Sequence, residues 1–116
     1  VDQLHVGTAV GKMSETKEEV MKNIDACMSP MYDLKKILPI ASGGLHPGSV
    51  PKLVDIFGTD TVIQAGGGIH GHPEGTRVGA TAMRQAVDAV IKKIPLKEYA
   101  IEHSELKKAL EKWEIL

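Results

Sequence analysis

Thr61-Val62-Ile63-Gln64-Ala65-Gly66-Gly67-Gly68 is a β-rich apolar run that stops on three consecutive glycines. A short β-branched run closed by glycine reads as a strand with a tight turn at its end. After the loop through Pro73, the apolar residues Met83, Val87, Val90, Ile91 and Ile94 recur at helical spacing, which predicts a long helix over residues 76–93. Strand, glycine turn and helix thus follow one another in that order.

The same order occurs twice upstream. Residues 37–41 form a short apolar run that breaks at Ser42-Gly43-Gly44. The helix expected after it is capped by Ser49, has Pro51 in its first turn, and buries Val50, Leu53, Val54 and Phe57. Residues 4–10 form an apolar, β-branched run ending at Gly11-Lys12. Thr16 and Glu19 then make a capping box for a helix carrying Val20, Met21, Ile24, Cys27 and Met28. Near the other terminus a separate amphipathic helix presents Leu106, Ala109, Leu110 and Trp113. Three consecutive strand–helix units predict an α/β fold in which helices cover a parallel sheet. Ligands of such sheets bind at the carboxyl ends of the strands. Lys12, Ser42-Gly43-Gly44 and Gly66-Gly67, far apart along the chain, are therefore expected at one rim.

The chain has 116 residues, a length that suits one modest domain. Its 14 basic residues nearly balance 15 acidic ones, for a net charge of -1, and no Lys/Arg stripe is clustered. Nothing in this pattern marks a nucleic-acid partner or an anionic membrane surface. The single cysteine cannot form an internal disulfide, nothing resembles a secretory signal, and no apolar run is long enough to cross a bilayer. A soluble protein of a reducing compartment, the cytoplasm, is expected. Twelve glycines accompany only four aromatic residues (one Trp, two Tyr, one Phe), and they bunch near the apolar runs. The chain begins at Val1 without an initiator methionine and enters a strand almost at once, as a piece that starts mid-fold would.

Gly66-Gly67-Gly68-Ile69-His70-Gly71 formally matches G-x-G-x-x-G. A dinucleotide fold, however, needs a further strand and an acidic residue near its end, whereas Asp88 falls inside the expected helix with no strand after it. Gly7-Thr8-Ala9-Val10-Gly11-Lys12-Met13 is one residue short of a P-loop between its glycines and lacks the Ser/Thr after the lysine. The glycines still have a use, since consecutive glycines after a strand let backbone N–H groups converge on an anion without obstruction by Cβ. A phosphate is the natural guest. Lys12 closes a Gly-Lys pair from which its ammonium reaches a bound anion or a developing negative charge. His5, inside the first strand, is either a satisfied core or rim histidine or a donor to a phosphate. His70 and His72 lack the further ligands a zinc site needs, and His46, His103 and Cys27 show no partner pattern.

His5-Val6-Gly7-Thr8-Ala9-Val10-Gly11-Lys12, Pro39-Ile40-Ala41-Ser42-Gly43-Gly44-Leu45-His46 and Gln64-Ala65-Gly66-Gly67-Gly68-Ile69-His70-Gly71-His72-Pro73 resemble, in order and spacing, the last third of the large subunit of RuBisCO, ribulose-1,5-bisphosphate carboxylase/oxygenase. Gly44-Leu45-His46-Pro47-Gly48 and Lys12-Met13-Ser14-Glu15 are similar to the archaeal form III members. The resemblance covers essentially the whole chain. It implies a (β/α)8 TIM barrel of which residues 1–95 supply strands six, seven and eight with their helices, and residues 96–116 a helical tail.

In the family, the lysine matching Lys12 rides on a mobile loop and stabilises the transition state of CO2 or O2 addition. The residues matching His5 and Ser42 lie against ribulose 1,5-bisphosphate, the histidine at one phosphate. The glycines matching Gly44, Gly66 and Gly67 cradle the other phosphate, and Gly43, Gln64 and Ala65 complete the expected substrate-binding set. The resemblance further implies a magnesium ion whose ligands, a carbamylated lysine among them, lie outside this chain, so that no metal ligand is expected here. It implies a homodimer or higher homo-oligomer, lyase and monooxygenase chemistry, and in archaea a link to nucleotide salvage. Two other readings fit: a RuBisCO-like sugar-phosphate enolase or isomerase, and a non-catalytic partial barrel that self-associates. Met13 departs from the leucine of plant-type loops, which bears on loop closure more than on phosphate contacts.

Overall fold

The computed structural model describes residues 1–8, 10 and 16–116. Three strands, β1 (Gln3–Gly7), β2 (Leu38–Ser42) and β3 (Val62–Gln64), form one parallel sheet in the order β1-β2-β3. Parallel pairing of successive strands requires the chain to cross back over the sheet, and a helix supplies each crossing. The first is α1 (Lys17–Met28), and the second is a 3-10 turn (Pro47–Ser49) running straight into α2 (Val50–Phe57). Beyond β3 lie the short α3 (Gly67–His70), the long α4 (Thr76–Ile91), α5 (Leu96–Tyr99) and α6 (Ser104–Lys112). No helix among the described residues is long and apolar enough to cross a membrane.

Side chains alternate across a strand, so the sheet has two distinct faces. Val6 and Ala41 point toward the helices and join Val20, Ile24, Cys27, Leu45, Leu53 and Phe57 in one buried cluster. A second cluster, including Val50, Met83, Ala86, Leu96 and Leu106, ties α2, α4, α5 and α6 together. His5, Ile40 and Val62 are register neighbours, as are Ser42 and Gln64, and these residues occupy the opposite face. His5 and Gln64 are exposed on it.

α1 begins as the sequence predicts. The Glu19 N–H donates to Thr16 Oγ1 at 3.2 Å, and the Thr16 N–H donates to Glu19 Oε2 at 2.8 Å. Other elements depart from expectation. The first strand stops at Gly7 instead of reaching Val10, because Gly7 takes φ 95° and the register slips between His5 and Gly7. Ser49 does not cap α2. The 3-10 turn already leads into the helix, and the Ser49 hydroxyl accepts from the His46 N–H at 3.2 Å.

The long helix ends at Ile91, and its fully buried face is Gly79, Ala82, Met83, Ala86 and Ala89; of the predicted stripe, Met83 lies in that face and Val87 and Val90 pack half-buried against the same cluster. Ile91 is 63% exposed. Close backbone approach selects these small residues. A Cβ on Gly79 would stand 2.0 Å from the Ile69 carbonyl oxygen. At four residues each, α3 and α5 are too short to leave a periodic signal.

Candidate functional site

Because the strands run the same way, Gly7, Ser42 and Gln64 end them at one rim. His5 Nδ1 and Ser42 Oγ share a hydrogen bond at 3.0 Å, joining residues 37 positions apart. With Gln64 in register beside Ser42, three expected substrate-facing side chains occupy one face at the carboxyl end of the sheet. His5 is exposed, so its Nε2 is accessible from that side. Ala65 differs from its neighbours, since its methyl packs against both apolar clusters and offers the rim only backbone. Lys12 lies outside the described residues, as do Ala9, Gly11, Met13, Ser14 and Glu15.

Past β2 the chain turns through Gly43 and Gly44, at φ 104° and 66°, which L side chains rarely adopt. The turn past β3 is built differently. Gly66 has φ -109°, and a Cβ added at Gly66 or Gly67 would meet nothing within 4 Å. Neither turn geometry nor packing among the described residues calls for glycine at these two positions. What the missing side chains leave is uncovered backbone at the start of α3, where the first N–H groups have no partner within the helix.

Gly68 has the opposite character. Its Cβ would stand 2.0 Å from the Leu45 carbonyl oxygen and 2.6 Å from His46 Cα. The absence of that carbon lets the turn after β3 dock directly on the loop after β2. Beside the junction opens a cavity of about 590 Å3, lined by Gly44, His46, Gly67, Gly71, Trp113 and Leu116 among others.

The histidines sort by environment. His72 is buried, donates through Nε2 to the Glu105 carbonyl at 2.9 Å and accepts from the Glu74 N–H at Nδ1, which makes it a structural residue. His70 Nδ1 shares a hydrogen bond with Thr76 Oγ1 at 3.1 Å. Burial pushes the His46 imidazole below its ordinary pKa, and its buried Nδ1 has no hydrogen-bond partner among the described residues. Among the described residues, no three His, Cys, Asp or Glu converge as metal ligands would.

Two features at the rim have no counterpart in the sequence reading. Thr8, next to Gly7, is buried, and its hydroxyl has no partner among the described residues. Trp113, expected only on the apolar face of the last helix, leaves α6 and lies on the loops at the strand ends, its ring stacked on His46 with centroids 5.8 Å apart. Its spacing from Leu106 and Leu110 suits the helix face equally well, so periodicity conceals this placement.

Residues 1–113 match the family described as ribulose bisphosphate carboxylase large chain, catalytic domain. The ribulose bisphosphate carboxylase of Pyrococcus abyssi is 54% identical over 113 residues, which cover 97% of this chain and 27% of that protein. The crystal structure of octameric ribulose-1,5-bisphosphate carboxylase/oxygenase from Pyrococcus horikoshii superposes with a TM-score of 0.92 at 51% identity, covering 97% of this chain and 27% of that one. A rubisco-like protein from Burkholderia fungorum superposes with a TM-score of 0.88 at 36% identity, over 96% of this chain and 28% of that one. The chain therefore spans 27% of the length of the curated Pyrococcus relative. With a match that runs through every motif of the rim, the chain belongs to the RuBisCO large-chain family.

Proposed function

We propose that this chain is the carboxyl-terminal part of a form III type ribulose-bisphosphate carboxylase. The parent enzyme adds CO2 and water to ribulose 1,5-bisphosphate and yields two molecules of 3-phosphoglycerate. In this reading residues 1–95 supply the last three βα units of a TIM barrel and residues 96–116 its helical tail. The remaining strands, the magnesium site and a second subunit come from residues outside the chain. The protein works in the cytoplasm as a homo-oligomer, in keeping with its octameric relative.

The observation that carries this reading is the His5–Ser42 pair, held at 3.0 Å on the open face beside the uncovered turn at Gly66-Gly67. A bisphosphate needs anion sites at both ends and polar contacts between them. The backbone N–H groups of Gly44, Gly66 and Gly67 donate to one phosphate, and Gly43 gives the turn its shape. His5 donates to the other phosphate, while Ser42 and Gln64 bond the sugar hydroxyls between. Fixed donors of this kind cost no reorganisation when the substrate binds. Ala65 positions the glycine turn by packing beneath it. Magnesium, when bound by the residues outside the chain, polarises the sugar oxygens, and no residue described here takes part in holding it. Lys12 approaches the bound sugar and stabilises the negative charge that develops on the incoming CO2 as the new C–C bond forms.

Lys12→Ala in the full-length protein is expected to lower carboxylation at least ~100-fold, the loss typical of a removed charge-stabilising group, while bisphosphate affinity changes little. Incorporation of labelled CO2 and a binding titration measure the two separately. Wild-type turnover in the variant would overturn the assignment of Lys12. Absence of any labelled product from the unaltered protein would favour the reading as a RuBisCO-like sugar-phosphate enolase or isomerase.

A further inference from the structure

The residues that follow α6 have no part in the reading above, yet they touch both glycine loops. Trp113 leaves the end of α6, its N–H donating to the Ala109 carbonyl at 2.8 Å. Its indole lies against Gly71, where a Cβ would stand 3.2 Å from Cζ2 and 3.6 Å from Cη2. Gly71 closes α3, with its N–H donating to the Gly67 carbonyl at 2.9 Å, so the indole abuts the turn that begins at Gly66. The same indole stacks on His46 with the two planes 16° apart, and His46 follows Gly43-Gly44-Leu45 directly.

The neighbouring residues make the same bridge. Lys112 Nζ donates to the Gly71 carbonyl, while its ammonium stands 5.1 Å from the indole centroid. The Leu116 N–H donates to the Gly48 carbonyl at 3.2 Å, and a Cβ on Gly48 would lie 2.3 Å from the Glu114 carbonyl oxygen. Residues 112–116 therefore hold the loop after β2 with one set of contacts and the turn after β3 with another. Those loops present the N–H groups of Gly44 and of Gly66 and Gly67.

We infer that Trp113 is a positioning residue for the phosphate cradle, setting the separation of its two glycine loops from behind. The inference rests on the phosphate reading proposed for these glycines. Donors fixed at the wrong separation lose the ligand without losing the fold, and a displacement of about 1 Å is enough to matter. Because the cradle grips a phosphate whose own bonds do not change in the reaction, its disturbance affects substrate and transition state alike. Such a loss of uniform binding raises KM and leaves kcat in place.

The test uses the full-length protein with Trp113→Ala, Trp113→Phe and His46→Leu. The Phe variant keeps an aromatic plane on His46, whereas His46→Leu removes the stack from the loop side and preserves apolar volume. Trp113→Ala is expected to raise KM for ribulose 1,5-bisphosphate ~10-fold with kcat within ~2-fold of wild type, the signature of lost uniform binding. Trp113→Phe should recover most of the loss. Should Trp113→Ala fail to fold, His46→Leu carries the same expectation. An unchanged KM in a folded variant, or a fall in kcat alone, overturns the inference. If the wild type does not consume ribulose bisphosphate, the substrate reading fails on its own, and titration with inorganic phosphate becomes the readout. Weaker phosphate binding in the variants then supports the positioning role, whereas equal binding, or none in the wild type, overturns it.

Discussion

A Cβ at Gly68 collides with the Leu45 carbonyl oxygen at 2.0 Å, while two positions earlier, at Gly66, it meets nothing within 4 Å. The two glycines serve different ends, and one substitution separates them. Gly68→Ala forces two backbone segments apart and is expected to cost about 1–3 kcal/mol or more, as overpacking does. Gly66→Ala should leave stability within about 0.5 kcal/mol, as a change at an open position does. If the turn binds phosphate as proposed, the added carbon stands in the way of a phosphate oxygen, and KM of the full-length protein for ribulose 1,5-bisphosphate should rise several-fold. Thermal melts and steady-state kinetics on the same pair of variants read both effects. A wild-type KM for Gly66→Ala would remove that turn from the cradle. The sequence placed Gly66 and Gly67 in the anion loop and left Gly68 without a separate role, because a run of glycines does not show which of them is held against a neighbouring loop. The histidines pose a similar difficulty. His5 and His72 look alike as letters, but one lies on an exposed sheet face and the other is buried between a carbonyl and an amide.

At the scale of elements, legibility followed the range of the forces involved. α1 was readable in full because its signals are local: a Thr16–Glu19 box, then Val20, Ile24 and Cys27 on one buried face. α4 was readable in extent and only partly in orientation. Its core side is centred by contact with other backbones, which admit glycine and alanine, so a hydrophobicity count that finds Met83, Val87 and Val90 misses Gly79, Ala82, Ala86 and Ala89 and includes the exposed Ile91. The local signals of α1 also make a prediction. Thr16→Ala removes the hydroxyl that accepts from the Glu19 N–H and is expected to cost about 1 kcal/mol, with the start of α1 fraying. The Glu19 carboxyl is held below its ordinary 4.5 by the Thr16 N–H and hydroxyl that donate to it. A carboxyl lowered in the folded state contributes stability above the unfolded value, and that contribution is lost as pH falls through the folded one. The melting temperature of the wild type should therefore drop more between neutral pH and pH values below 4.5 than that of Glu19→Gln. Parallel curves would show that the box contributes nothing.

For the whole molecule, the parallel sheet leaves two consequences that neither residue nor element explains. Among the described residues β1 and β3 are both edges, since the order β1-β2-β3 pairs each on one side only. Beside β3 a groove of about 330 Å3 runs between α2 and α4, lined by Val54, Ile63, Val87, Val90 and Ile91 among others. Val87 and Val90 pack half-buried against the second apolar cluster, and their outer sides, with the exposed Ile91, face the open groove. Unpaired edge strands and an open apolar groove invite pairing with another chain. As a 116-residue polypeptide, the protein is accordingly expected to self-associate at ~100 μM, within the range where exposed edges and apolar surface drive association. It is also expected to show no carboxylation, because it spans only 27% of the length of its curated relative. Sedimentation velocity across a concentration series checks the association. Ile91→Lys places a charge on the groove at an exposed position, so it should weaken association and leave the helical signal unchanged. A wild-type polypeptide that stays monomeric and folded at that concentration would mean that the sheet is self-sufficient. The partial-barrel reading would then fail, even with the family assignment intact.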